Sequence, residues 1–142
     1  MSIDRLVGVW RLKAFEFTDA EGNLFHPLGK RPSGALVVTK DGHAVISFSA
    51  SDRPKFATDD VFKSTPEERA TAAQGFASFG GPCEVSDTSI TVRVEYSSFP
   101  NWVGGSQVRL YQTDGKKLTL RTPGARMFGG VERTGRAELE RA

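Results

Sequence analysis

The chain has 142 residues, 38% of them hydrophobic and 25% charged, which fits one globular domain spanning 1–142 with a core of its own. Its formal net charge is +2 with both signs spread along the chain, so no basic stripe speaks for nucleic acid or for an anionic membrane. The single cysteine, Cys83, excludes an internal disulfide and permits a reducing compartment. No apolar run approaches the roughly 20 residues of a membrane span, and Met-Ser-Ile-Asp-Arg-Leu lacks the regions of a signal peptide, so a soluble, cytoplasmic protein is expected.

Leu6 to Thr18 alternates as a strand, with Trp10, Leu12, Ala14 and Glu16 on one face. Within it, Gly8-Val9-Trp10 suits the sealed end of a barrel: the glycine admits a close backbone approach and the indole fills the floor. A turn cluster at Asp19-Ala20-Glu21-Gly22-Asn23 leads through His26-Pro27-Leu28-Gly29 to a second strand, Ala35 to Thr39. Asp41-Gly42 then signals a hairpin into a third strand, Ala44 to Ser49.

Asp52-Arg53-Pro54 breaks the pattern, and Thr65-Pro66-Glu67-Glu68 reads as a helix start: hydroxyl at the N-cap, proline next, carboxylates at the positive end of the dipole. The helix is expected to run to about Phe79 and stop at Gly80-Gly81-Pro82, with a weakly apolar face formed by Ala73, Phe76, Ala77 and Gly80. Such a helix either packs outside the barrel or closes it as a lid.

Further strands are read at Cys83 to Ser86, Ser89 to Ser97, Gln107 to Thr113, Lys117 to Thr122 and Arg136 to Arg141, eight in all. The connections sort cleanly. Those between strands two and three, four and five, and six and seven are tight turns, and the others are long. In an up-and-down antiparallel barrel, connections alternate between the ends, so the tight turns share one end and the long loops the other. The expected fold is therefore all-β: an eight-stranded up-and-down antiparallel barrel with one helix between strands three and four. Trp10 marks its closed end, where Arg141 either lies across the indole as a cation–π partner or is solvated.

Gly8-Val9-Trp10 with an arginine near the end of the chain resembles the structural signature of the lipocalin superfamily. The segments Gly8-Val9-Trp10-Arg11-Leu12, His26-Pro27-Leu28-Gly29, Asp52-Arg53-Pro54 and Phe99-Pro100-Asn101-Trp102-Val103-Gly104 are similar to small bacterial and fungal lipocalin-like domain proteins. The resemblance covers residues 6–141 and implies a closed barrel holding a small, largely apolar molecule. It also implies an alternative, because some barrels of related shape act as cyclases or isomerases on natural-product intermediates, including polyketide-like ones.

The mouth, at the long-loop end, is expected to draw on His26, Asp52, Arg53, Phe56, Phe99, Asn101, Trp102, Met127 and Phe128. Inside, Ile90, Val92, Val94 and Tyr96 are read as inward on strand five, Val108, Leu110 and Gln112 on strand six, and Leu118 and Leu120 on strand seven. The expected ligand contacts are Leu12, Phe48, Val94 and Leu110 from strands, Phe76 from the helix, Trp102 and Phe128 from mouth loops, and Tyr96. Trp102 is either a pocket wall or a buried wedge.

Were the protein an enzyme, Glu16, Tyr96 and Asn101 would move the proton, since a carboxyl in an apolar cavity has a raised pKa. A β-bulge turning Glu16 outward and Phe15 and Phe17 inward, or a salt bridge to Arg53 or Arg109, is the plainer reading of Glu16. His26 and His43 fall at opposite ends, and no metal-ligand spacing, P-loop or dinucleotide fingerprint is present, so no metal or cofactor is expected. Three classes of function stay open: a binder of a small hydrophobic molecule, a cyclase or isomerase, and a homodimer whose barrel is filled by its own side chains.

Overall fold

In the computed structural model, which describes residues 2–142, each long strand pairs with the next until the last returns to the first. In chain order the strands are β1 (Gly8–Asp19), β2 (Leu24–Phe25), β3 (Ser33–Val38), β4 (His43–Ser49), β5 (Phe76–Val85) and β6 (Ser89–Arg93). They continue with β7 (Tyr96–Ser97), β8 (Ser106–Thr113), β9 (Lys117–Arg121), β10 (Arg126–Phe128) and β11 (Val131–Arg141). Eight of them form the wall in the order β1, β3, β4, β5, β6, β8, β9, β11, and antiparallel pairing of β11 with β1 closes it. Closure leaves no wall edge unpaired. The expected eight-stranded up-and-down barrel is the fold. The three short strands extend the wall: β2 against β1, β10 against β11 and β7 against β5.

The closed end is built by the residues before β1. Ser2–Arg5 forms a short 3-10 helix, and Leu6, read as the start of the first strand, lies instead under the barrel, fully buried. Trp10 stands on this floor, with its indole N–H donating to the Leu6 carbonyl at 2.9 Å. Arg141 crosses the indole with its guanidinium carbon 4.1 Å from the ring centroid. Its Nη1 donates to the Val7 carbonyl at 2.7 Å and its Nε to the Gly115 carbonyl at 2.8 Å. Gly8 makes room for this: with φ at +127°, a Cβ there would stand 2.7 Å from Arg141 Nη1. The tight turns lie at the same end, since Ser2 bonds Asp87 and Arg141 bonds the turn at Gly115.

The helix α1 (Pro66–Gln74) starts as expected. The Thr65 hydroxyl accepts from the Glu68 N–H while the Glu68 carboxylate accepts from the Thr65 N–H, a complete capping box. Its end differs from the expectation. The helix stops at Gly75, and Phe76 to Val85 is strand, paired with β4 from Phe76 to Pro82. Gly80-Gly81-Pro82 is thus no helix stop. The glycines let the chain after β6 fold over β5: the Tyr96 ring rests on Gly80, and the Arg93 carbonyl passes where a Gly81 Cβ would be. Deprived of Phe76 and Ala77, α1 buries none of its residues, and only its last turn, at Ala73 and Gln74, reaches the barrel's open end.

Two departures in register decide what faces inward. Between Leu12 and Ala14 the pairing of β1 with β11 slips by one residue, an extra residue at Lys13. Below the bulge Trp10 and Leu12 point in; above it Phe15 and Phe17 do. On β8 the inward set is Gln107, Arg109 and Tyr111, not Val108, Leu110 and Gln112. The inward readings of Ile90, Val92, Val94, Leu118 and Leu120 agree with their burial; that of Tyr96 does not, since it is exposed.

Candidate functional site

Above the Trp10 floor the barrel holds a cavity of about 560 Å³, within the roughly 300–1,000 Å³ usual for small-molecule sites. The lower lumen is filled with packed side chains, so the cavity occupies the open end. Aromatic rings dominate its wall. Phe15 touches Phe48 and Phe17 edge to face, at 5.5 and 5.1 Å between centroids, and Phe17 lies 4.3 Å from Phe128. Across the chamber Phe79 meets Trp102 at 5.5 Å, and Trp102 meets Phe99 at 5.4 Å, both edge-on. The bulge at Lys13 creates half of this wall, because without it Phe15 and Phe17 would face outward.

The rim comes from the long connections. Pro27 and Leu28 follow β2, Phe76 and Ala77 follow α1, Ser98 and Phe99 follow β7, and Met127 and Phe128 form the β10 hairpin. Phe99 is 50% exposed and Met127 63%, so apolar surface stands open at the entrance. His26, Asp52, Arg53, Phe56 and Asn101 are not in the lining; Phe56 sits in a separate shallow cleft beside α1.

The polar part of the lining is small and of one sign. Gln107, Thr122, Gln74 and Ser98 contribute neutral groups, and Arg109, Arg126 and Arg136 contribute charge. Among the described residues that line the cavity there is no Asp, Glu, His, Lys, Cys or Tyr. Arg109 is the deepest of the charges. Burial pushes its pKa down to about 10, with repulsion from Arg126 a smaller cause, so it stays protonated at neutral pH.

The proposed catalytic trio does not meet there. Glu16 lies outside the cavity because the bulge reverses its face; it sits 3.7 Å from His26 Nε2 with its side chain 30% exposed. Tyr96 is 44% exposed, because the chain leaves the β6 ladder after Arg93, and its hydroxyl lies 2.7 Å from His43 Nε2. Asn101 is exposed on a short 3-10 turn, Pro100–Trp102.

Of the expected ligand contacts, Phe48, Phe76, Trp102 and Phe128 line the cavity, Phe76 from β5 rather than from the helix. Trp102 is wall and wedge together, packing on the core while facing the chamber. Leu12 and Val94 are buried but lie outside the lining, in the packed region. Leu110 and Tyr96 face out, Leu110 because its strand runs with the opposite parity. Arg109 and Gln107 were missed as inward residues. A pattern reading assigns polar residues to solvent, and the only clue was that Tyr111 shares their face.

A barrel closed at one end by Trp10 and Arg141, with an aromatic chamber at the other, also has relatives. The chain is 30% identical over 87 residues to the 4'-hydroxy-3'-methoxypropiophenone carrier protein ppsC of Aspergillus oryzae, a match covering 56% of this chain and 78% of that protein. The family model of the lipocalin-like domain matches residues 7–138. The chain belongs to the lipocalin-like domain family.

Proposed function

We propose that this protein is a carrier that holds a small aromatic molecule in the chamber above Trp102 without changing it chemically. The observation that carries the reading is the composition of the lining: rings on both walls, and no side chain that exchanges a proton near neutral pH. An acid–base cyclase or isomerase would need such a group beside its substrate. The relative's printed name adds support, since a hydroxylated, methoxylated aryl ketone is a flat aromatic body with a few polar oxygens. Edge-on rings such as Phe79 and Trp102 leave room for a third ring to complete the stack. The same proposal places the protein in the cytoplasm, where Cys83, buried as a free thiol, would stay reduced.

The test is calorimetric titration of the purified protein with 4'-hydroxy-3'-methoxypropiophenone, the compound named for the relative. One saturable site is expected, and it should be lost on filling the chamber with Ala77→Trp, which projects from β5 beside Phe48. No saturable heat, or binding indifferent to Ala77→Trp, would overturn the proposal.

A further inference from the structure

Arg109 lines the cavity with more donors than it has acceptors. Its Nη1 donates to Gln107 Oε1 at 3.1 Å and to the Val108 carbonyl at 2.8 Å. Among the described residues, Nη2 and Nε make no hydrogen bond, and no carboxylate lies within 4.0 Å. These nitrogens are not sealed in the core, since among the described residues no fully buried side-chain nitrogen lacks a partner. Arg109 itself is part of the chamber's lining.

The surroundings make this arrangement costly for an empty protein. The guanidinium carbon lies 5.8 Å from the Phe79 ring centroid, in an aromatic pocket where a charge loses much of its hydration. Its charged neighbours in the lining have its own sign: Arg126 stands close enough to repel it, and Arg136 is tied to Glu138 on the outer side. A buried arginine ordinarily has a carboxylate partner supplied by the protein. Here the planar fork of donors faces a space sized for a ligand.

We propose that the molecule carried is an organic anion, an aromatic body among the phenylalanines with a carboxylate or phenolate oxygen held by Arg109. This deepens the carrier reading and rests on it. Arg109 sets which aromatic molecules are retained, and Arg126 and Arg136 at the same cavity attract the anion toward it. A phenolate fits as well as a carboxylate, because either offers the guanidinium a delocalised negative oxygen.

The experiment compares para-propylbenzoate with its neutral amide, para-propylbenzamide, by calorimetric titration of the full chain at pH 7. The benzoate is expected to bind at least about tenfold more tightly, the size of one charge-assisted hydrogen bond made in an apolar site. In Arg109→Met that preference should fall to within about threefold of unity, and Arg109→Lys, with charge but no fork, should lie between. Because the readout is a ratio of two ligands on one protein, a loss of folded fraction leaves it unchanged. Equal affinities in the parent protein, or a preference that survives Arg109→Met, would overturn the anion proposal and leave the carrier reading standing. Failure of both probes to bind would overturn both.

Discussion

Arg141 and Trp10, separated by 131 positions in the sequence, form one unit: the guanidinium lies 4.1 Å above the indole centroid while the indole is fully buried. The pair ties the last strand to the first at the floor, and the cavity lies toward the other end. Gly8 belongs to the unit because only a residue without Cβ leaves the guanidinium its place.

Arg141→Met should therefore destabilise the fold by about 1–3 kcal/mol in urea unfolding, from the cation–π contact and the hydrogen bonds to Val7 and Gly115. Gly8→Ala should cost a similar amount through its positive φ and the displaced guanidinium. Since both act on one contact, the double variant should cost less than the sum by about 0.5 kcal/mol or more. Strict additivity would show that Gly8 is required for its backbone conformation alone.

Trp102 should report the ligand and Trp10 should not. An aryl ketone bound in the chamber is expected to quench Trp102, which lines it, and to leave Trp10 on the floor unaffected. In Trp102→Phe the remaining emission should not respond to ligand. A response of undiminished size in that variant would put the ligand near the floor instead.

Glu16→Gln should leave ligand affinity within about twofold and cost no more than about 1 kcal/mol, the range of an ion pair that keeps contact with solvent, as Glu16 and His26 do. A hundredfold loss of binding would mean that the carboxyl reaches the chamber after all.

The start of α1 should loosen in acid. Donation from the Thr65 and Ala57 N–H groups holds the Glu68 carboxyl below its ordinary value of 4.5. A carboxyl whose folded value is the lower one contributes fully above pH 4.5, and the contribution fades as pH falls through the folded value. Amide exchange at Ala57 and Thr65, corrected for its intrinsic rate, should thus accelerate between about pH 5 and pH 3. Glu68→Gln should largely remove the pH dependence; if it persists unchanged, another carboxyl governs this segment.

The barrel was legible because its evidence is global. Alternating short and long connections, and Trp10 in parity with Leu12, survive errors of a residue or two at any strand end. The upper half of the chamber was legible only as an alternative, since one extra residue at Lys13 reverses every later side chain on β1 and leaves no mark in the composition. Simple alternation put Glu16 inward; the β-bulge offered as its plainer reading, with Phe15 and Phe17 inward, is the arrangement found. The segment 76–82 was misread because glycines that end helices also serve where one chain crosses another. On β8 the apolar Val108 and Leu110 pointed the pattern the wrong way. The rule that polar residues face solvent failed at Gln107 and Arg109, which line the cavity.

The central claim, that ligand enters the loop end of the barrel and rests between Trp102 and Phe128, is tested most directly by mapping amide NMR shifts during titration with 4'-hydroxy-3'-methoxypropiophenone. The account predicts saturable shifts at Ala73 to Ala77, Ser98 to Trp102, Arg109 and Arg126 to Gly129, with Gly8, Trp10 and Gly115 unmoved. Shifts centred on the floor or on the outer faces of Tyr96 and Leu110, or none at saturating ligand, would contradict it.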